Sequence, residues 1–381
     1  MRNHTLSLIA LSLASLAACS ANPEDTVDPL TAEEVAPVAD AYTDIVAASY
    51  ADAHAGATTL LAAIDALVDA PSEANLDAAR QAWLDAREPY GQTEVYRFYD
   101  GPIDEPVAGP EGQLNAWPMD EVYVDYVEGM PDAGIINDLV GYPTIDATVL
   151  ADLNEVGGET NISTGYHAIE FLLWGQDLSV DGPGDRPYTD FEVGGTAQNQ
   201  DRRGAYLQAA GTLLVEDLEG LRASWDGSYD VEFTGAAPEE ILRRMLTGMG
   251  SLSGAELAGE RMEVALETMD QEDEHSCFSD NTHRDVVNNA RGIENVYHGR
   301  YGSLDGPGID DLVEARDPDL AARLSAELAA SVAAAEAIPV PFDVAIIDHR
   351  EAVLETIDAL RVQADTIVEV AALFDINLAL E

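Results

Sequence analysis

The segment Ser163-Thr-Gly-Tyr-His-Ala-Ile-Glu-Phe-Leu-Leu-Trp-Gly175 sets His167 and Glu170 three residues apart. On a helix that spacing places both side chains on one face. Ile169, Leu172 and Leu173 fill one side around them, and Phe171 and Trp174 the other. A helix apolar on nearly every side is a buried one. A buried carboxylate without a partner costs free energy or takes up a proton. The pair therefore needs a metal ion, an Arg from another helix, or a buried hydrogen-bond network. Metal sites of helical bundles use His and Glu at this spacing, though in the order Glu-x-x-His. The His-Glu-x-x-His pattern of zinc proteases does not occur in the chain.

A second cluster runs from Asp273 through Glu274, His275, Cys277, Asp280 and His283 to Asp285. Carboxylate and imidazole ligands suit iron, manganese or zinc. The alternative is a solvated acidic loop in which Ser279 or Asp280 caps the next helix. A third set, Trp83, Arg87, Tyr90 and Glu94, has spacings of four, three and four and shares one helix face. Arg87 could pair with a buried carboxylate such as Glu170, or simply snorkel from a core face. His54, His298 and His349 show no ligand spacing.

The elements that must position these residues are helical. Thr31-Ala-Glu-Glu34 is a capping box opening a long Ala-rich helix. Further helices are predicted over 72–99, 163–175, 199–225, 238–270, 282–299 and 318–336. In the last helix Val353, Ile357, Leu360, Ala364, Ile367 and Ala371 make one apolar seam. No stretch alternates with the period of a strand, so the fold is read as all-α and built of bundles. Asp-Gly-Pro turns stand at 100–102, 181–183 and 305–307. The similar settings of the first and third suggest a duplicated bundle whose first half ends near 230. Residues 176–198, rich in Gly, Pro and Asp, are predicted to form a long loop.

The formal net charge is −54, from 72 acidic and 18 basic residues, and every basic residue is Arg. Chemistry that needs a Lys, such as a Schiff base or a P-loop, is excluded. Nucleic acid and anionic lipid surfaces are poor partners for such a chain. The charge could serve salt adaptation or cation collection; because the carboxylates are spread along the whole length rather than clustered, most of it points to adaptation to salt. At the N-terminus, Arg2, the apolar run Leu6–Leu13 and Leu16-Ala-Ala-Cys19 read as an export signal. The Leu-Ala-Ala-Cys ending resembles a bacterial lipobox, in which the Cys is lipidated. No later segment is long and apolar enough to span a bilayer. With Cys19 lipidated, Cys277 is left alone and no intrachain disulfide can form.

Gly165-Tyr-His167-Ala-Ile-Glu170 resembles the Gly-x-His-x-x-Glu motif of the imelysin-like proteins, the peptidase M75 family. The set Trp83, Arg87, Tyr90 and Thr93-Glu94, the segment Asn115-Ala-Trp-Pro118 and the run His275–Asp285 resemble that family's iron-regulated protein A branch. The resemblance implies two helical-bundle domains with a site where they meet, export, and a link to iron uptake. The implied organisation is a lipoprotein signal peptide (1–19), an acidic tether (20–37), and domains over 38–230 and 231–381. By position, His167, Glu170, Glu94, Asp280, His283 and Asp285 are expected to bind metal or ligand, supported by Arg87, Tyr90, Tyr166 and Ser279. Iron is expected ahead of zinc, because carboxylate-rich ligation suits Fe(III) and no thiolate pair is present. The expected partners are iron or an iron-bearing ligand, the membrane through a lipid on Cys19 only, other iron-uptake proteins, and no nucleic acid. The expected location is a membrane facing the periplasm or the cell surface. A metallopeptidase using His167 and Glu170 is the alternative, although the usual zinc-protease pattern is missing; a non-catalytic scaffold is the third reading.

Overall fold

The computed structural model describes residues 29–179 and 182–380. Cys19, the signal segment and the start of the tether therefore lie outside the described residues. The capping box forms as expected: the Glu34 N–H donates to Thr31 Oγ1 at 3.3 Å, and the Thr31 N–H to Glu34 Oε2 at 2.9 Å. It opens a helix over Ala32–Asp69. Residues 32–37, expected to belong to the tether, are thus already helical.

The second helix covers Glu73–Gly91, shorter than the expected 72–99. A 3-10 turn follows at Glu94–Tyr96. The chain then turns sharply, with Phe98 at φ 73° and Asp100 at φ 57°. This early exit places Glu94 beside the second half of the molecule. Helices Gly165–Trp174 and Gln200–Trp225 complete the first group, in which the opening helix packs against Glu73–Gly91 and Gln200–Trp225.

The second group comprises Pro238–Ser251, Thr282–His298, Pro318–Ala337 and Arg350–Leu373. The predicted helix over 238–270 is not uniform. Residues Leu252–Glu263 form a π-helix, and an α-helical turn resumes at Val264–Thr268. In π geometry residues five apart share a face. Glu256 and Arg261 use that spacing: Arg261 Nε and Nη2 donate to Glu256 Oε1 at 3.1 and 2.8 Å. The predicted seam of the last helix is buried from Val353 to Ala371. Each large aliphatic side chain buried there stabilises the fold by roughly 1.5–3 kcal/mol.

The two groups meet where Glu73–Gly91 packs on Thr282–His298 and Ala32–Asp69 packs on Pro238–Ser251. Their buried apolar side chains join into one continuous core. The two Asp-Gly-Pro settings differ locally, because only the later one adjoins a small hairpin, Arg300–Tyr301 with Leu304–Asp305. The long loop after residue 175 is anchored through buried ion pairs. Arg186 and Arg203 both bond Asp125, and Arg186 also bonds Asp190. No single helix among the described residues is long and apolar enough to cross a membrane.

Candidate functional site

Gly165 begins the motif helix at φ +80°, a conformation that favours glycine. A Cβ there would lie 2.5 Å from the Leu114 carbonyl oxygen. The motif glycine thus lets the helix start tightly against the Glu111–Leu114 turn, one residue before Asn115. All ten residues of the helix are buried, as their apolar surroundings predict. Trp83 Nε1 donates to the Tyr166 carbonyl at 2.9 Å and ties the motif helix to the Glu73–Gly91 helix.

His167 Nδ1 lies 2.9 Å from Glu170 Oε2. The other carboxyl oxygen, Oε1, accepts from the Ser279 N–H at 2.9 Å and from its hydroxyl at 2.7 Å. Of the three partners open to the pair, the structure uses a buried network, and its third member comes from the other half of the chain. Burial, reinforced by the nearby Arg87 charge, lowers the His167 pKa to about 3. Burial pushes Glu170 up to about 8, against the pull of the Ser279 bonds. The pair is therefore a neutral one sharing a single proton between Nδ1 and Oε2. His167 Nε2 is buried and has no hydrogen-bond partner.

Next to it stands a second imidazole. The His167 and His275 rings are 4.7 Å apart at nearly right angles. His275 Nδ1 is 2.8 Å from Asp285 Oδ2, which also accepts from the Ser276 hydroxyl. Arg87 clamps Asp285 Oδ1 through Nε at 3.1 Å and Nη2 at 2.9 Å. Burial alone would raise the Asp285 pKa. The Arg87 charge overrides it and, with the bonds from His275 and Ser276, holds the carboxyl well below the usual range. Burial, with the Arg261 charge, holds His275 neutral with a pKa of about 3. An ionised Asp285 beside a neutral imidazole requires the proton on Nδ1, so Nε2 carries a lone pair. Asn115 fits this tautomer: its Oδ1 accepts from Arg87 at 2.5 Å, leaving Nδ2 to face His275 Nε2 at 3.4 Å.

Arg87 therefore meets Asp285 and not Glu170, the carboxylate suggested for it by the sequence. Its guanidinium also lies over the rings of Trp83, Tyr90 and Tyr166, at 5.6, 5.4 and 4.9 Å. Tyr90 and Tyr166 support the site by this cation–π contact. Glu94 is held by Arg261 and Arg97, at 2.5 and 3.0 Å. Burial would raise its pKa, but the two guanidinium groups pull it down to about 2. Asp280 and His283 are engaged outside the two imidazoles. His283 Nδ1 lies 3.1 Å from the Asp280 carbonyl, and Asp280 joins a separate group of acids near Glu274, Asp177 and Asp343.

The six expected ligand residues thus do not gather round one point. Among the described residues no three His, Cys, Asp or Glu side chains are placed to hold a metal ion together. His275, Asn115 and Ser276 complete the site, although none was among the expected ligand residues. The Asn115-Ala-Trp-Pro118 and His275–Asp285 segments had singled out their neighbourhoods. His275 and Asn115 also line a cleft of about 350 Å³ between the two halves. Trp117, Glu155 and Glu159 line it as well, together with the ion-paired Arg97, Glu111, Glu256 and Arg261.

Fold and site together define an all-helical protein whose two bundle groups are joined through a buried histidine–carboxylate network. The chain belongs to the imelysin family (peptidase M75), whose model matches residues 46–367. It is 28% identical over 331 residues to iron-regulated protein A of Synechococcus elongatus, covering 85% of this chain and 82% of that protein. A crystal structure from Parabacteroides distasonis that carries the name iron-regulated protein A precursor superposes with a TM-score of 0.70 at 19% identity, over 91% of this chain and 96% of its own. An imelysin-like protein from Psychrobacter arcticum superposes with a TM-score of 0.68 at 16% identity, over 93% and 99%. These structural likenesses bear out the all-helical fold.

Proposed function

We propose that this protein is exported, is tethered to a membrane by a lipid on Cys19, and captures an iron-bearing ligand in the cleft between its helical halves. The observation that carries the reading is His275. Its neutral ring lines the cleft, and Asp285 holds Nδ1, so the Nε2 lone pair is available to an electrophilic metal centre. A carboxylate behind a histidine is the arrangement that orients imidazoles toward metals. The long 3.4 Å contact from Asn115 is readily exchanged for a ligand.

The donors present fit a metal-bearing ligand better than a bare ion. Asp285, Glu170 and Glu94 already bond to protein groups, so no ready set of three encloses one atom. A complex that brings most of its own ligands needs only one or two from the protein. Glu155 and Glu159 on the cleft wall offer hard oxygen donors that suit Fe(III) rather than zinc, whereas Glu111 and Glu256 are paired with Arg97 and Arg261. The name of the Synechococcus elongatus relative supports the link with iron.

Titration calorimetry with ferric citrate, with citrate alone and with ferric chloride tests the reading. Binding of an iron species, weakened at least about tenfold in a folded His275→Ala variant, is the expected result. Absence of binding to any of the iron species would overturn it. Chelator-sensitive peptide cleavage that is lost in Glu170→Gln would instead favour the peptidase reading.

A further inference from the structure

The residues that follow the motif helix form a pocket that the histidine network does not use. Its volume is about 430 Å³, and Tyr126, Trp174, Pro183 and Pro187 give it apolar walls. That is the size of a site for a small organic ligand, which such pockets hold by apolar walls and a few placed polar groups. Arg186 and Asp177 are the buried charged residues of its lining, 4% and 3% exposed. The walls are fixed from both halves of the chain. The Arg186 N–H donates to the Trp174 carbonyl at 2.8 Å, and the Gly184 N–H to the Phe278 carbonyl at 3.0 Å. Gln271 Nε2 donates to the Asp177 carbonyl at 2.6 Å.

Arg186 is incompletely satisfied. Its Nη1 donates to Asp125 at 2.9 Å and to Asp190 at 3.1 Å, but its Nε is buried without a hydrogen-bond partner. A guanidinium cannot shed that proton, and a buried donor left unpaired is costly. Gly175, also in the lining, leaves Nε uncovered: a Cβ there would lie 3.6 Å from it. Two guanidiniums, Arg186 and Arg203, meet two carboxylates, Asp125 and Asp190, so the local charge does not repel an anionic ligand group. Asp177 offers the opposite chemistry. Its Oδ1 accepts the Ser179 N–H at 2.9 Å, while Oδ2 is buried without a partner. Burial raises its pKa to about 6, which leaves it ionised at neutral pH.

We infer that this pocket is a second ligand site, separate from the iron-ligand cleft, that takes a small aromatic zwitterion, an amino acid or a dipeptide. The ligand carboxylate accepts from Arg186 Nε, and its ammonium group meets Asp177 Oδ2. Its ring packs between the aromatic walls, Trp174 and Tyr126. The net charge of −54 favours a ligand that carries an ammonium group over a plain carboxylate.

The test is calorimetric titration of the full mature chain with L-phenylalanine and with glycyl-L-phenylalanine, which differ in the distance between ammonium and carboxylate. Phenylacetate and phenethylamine, each with one of the two charges, serve as comparisons. One saturable site is expected for at least one zwitterion, at least about tenfold weaker for both comparison compounds. Affinity should also fall at least about tenfold in Asp177→Asn and in Arg186→Lys, which keeps the charge but removes the Nε–H; circular dichroism checks the fold of each. The same site should persist in His275→Ala, which keeps this proposal separate from the iron-ligand reading. No saturable binding of either zwitterion to wild type would overturn it. So would equal binding of phenylacetate or phenethylamine, a comparison that needs no variant, and so would unchanged affinity in a folded Asp177→Asn or Arg186→Lys protein.

Discussion

His275 and Asp285, ten residues apart in the chain, face each other across 2.8 Å at the junction of the two helical groups. Asp285 is at the same time the counter-ion of Arg87, from a helix nearly two hundred residues earlier. One carboxylate thus sets the tautomer of the cleft histidine and neutralises a buried guanidinium from the other half. Removing it should do both kinds of damage. Asp285→Ala leaves Arg87 charged and buried without a partner, and loss of such a partner costs about 3–5 kcal/mol. Chemical denaturation should show a drop of that order. A change below about 1 kcal/mol would mean that the ion pair does not hold the halves together.

Glu170 makes a prediction about pH. Its folded-state pKa is raised to about 8, against about 4.3 for an unperturbed Glu. A group whose pKa is higher when folded contributes stability that is complete below its unfolded value and is lost as pH rises through the folded one. Glu170→Gln keeps the shape and the neutral, proton-donating form but cannot ionise. The variant should therefore gain on wild type as pH rises from about 4.5 to 8, and the difference should level off above that. Melting temperatures of both proteins across this range provide the check. A difference that does not vary with pH refutes the assignment of a neutral Glu170.

Gly165 should tolerate no side chain. At φ +80°, with a carbonyl oxygen 2.5 Å from the position of a Cβ, Gly165→Ala combines backbone strain with a clash. The conformational part alone costs about 1–2 kcal/mol. The variant should lose at least that much stability in urea unfolding and should shift the motif helix away from the Glu111–Leu114 turn. Wild-type stability in Gly165→Ala would show that this turn readily gives way.

The charge excess predicts a strong dependence on salt. With a net charge of −54, self-repulsion opposes the compact state until counter-ions screen it. At 1 M salt the screening length is about 3 Å, against about 10 Å at 0.1 M. The melting temperature should rise steadily with NaCl over this range. A flat or falling curve would remove salt adaptation as the reason for the composition.

Cys19 lies outside the described residues, and its proposed lipid is tested in cells. Cys19→Ser should release a folded, ligand-competent protein from the membrane fraction and impair growth when iron is scarce. Normal growth with the protein released would separate the anchor from the iron-capture role.

The sequence by itself determined most of the helices, because their apolar periodicity is a local property. Gly165, His167 and Glu170 were legible for the same reason: three residues apart on a wholly apolar helix, the pair had to be buried and had to be satisfied. Which of the three candidate partners satisfied it was not legible, and Ser279, expected as a support, had no assigned contact. Ser279, more than a hundred residues away, closes the Glu170 network. Arg87 meets Asp285 rather than Glu170 because the crossing of two helices from opposite halves of the chain decides that pairing. The Glu256–Arg261 pair was hidden too, since a spacing of five has no meaning on the regular helix that periodicity predicts. Spacing along one element selects the face a side chain occupies, whereas the partner it meets there depends on the packing of the whole chain.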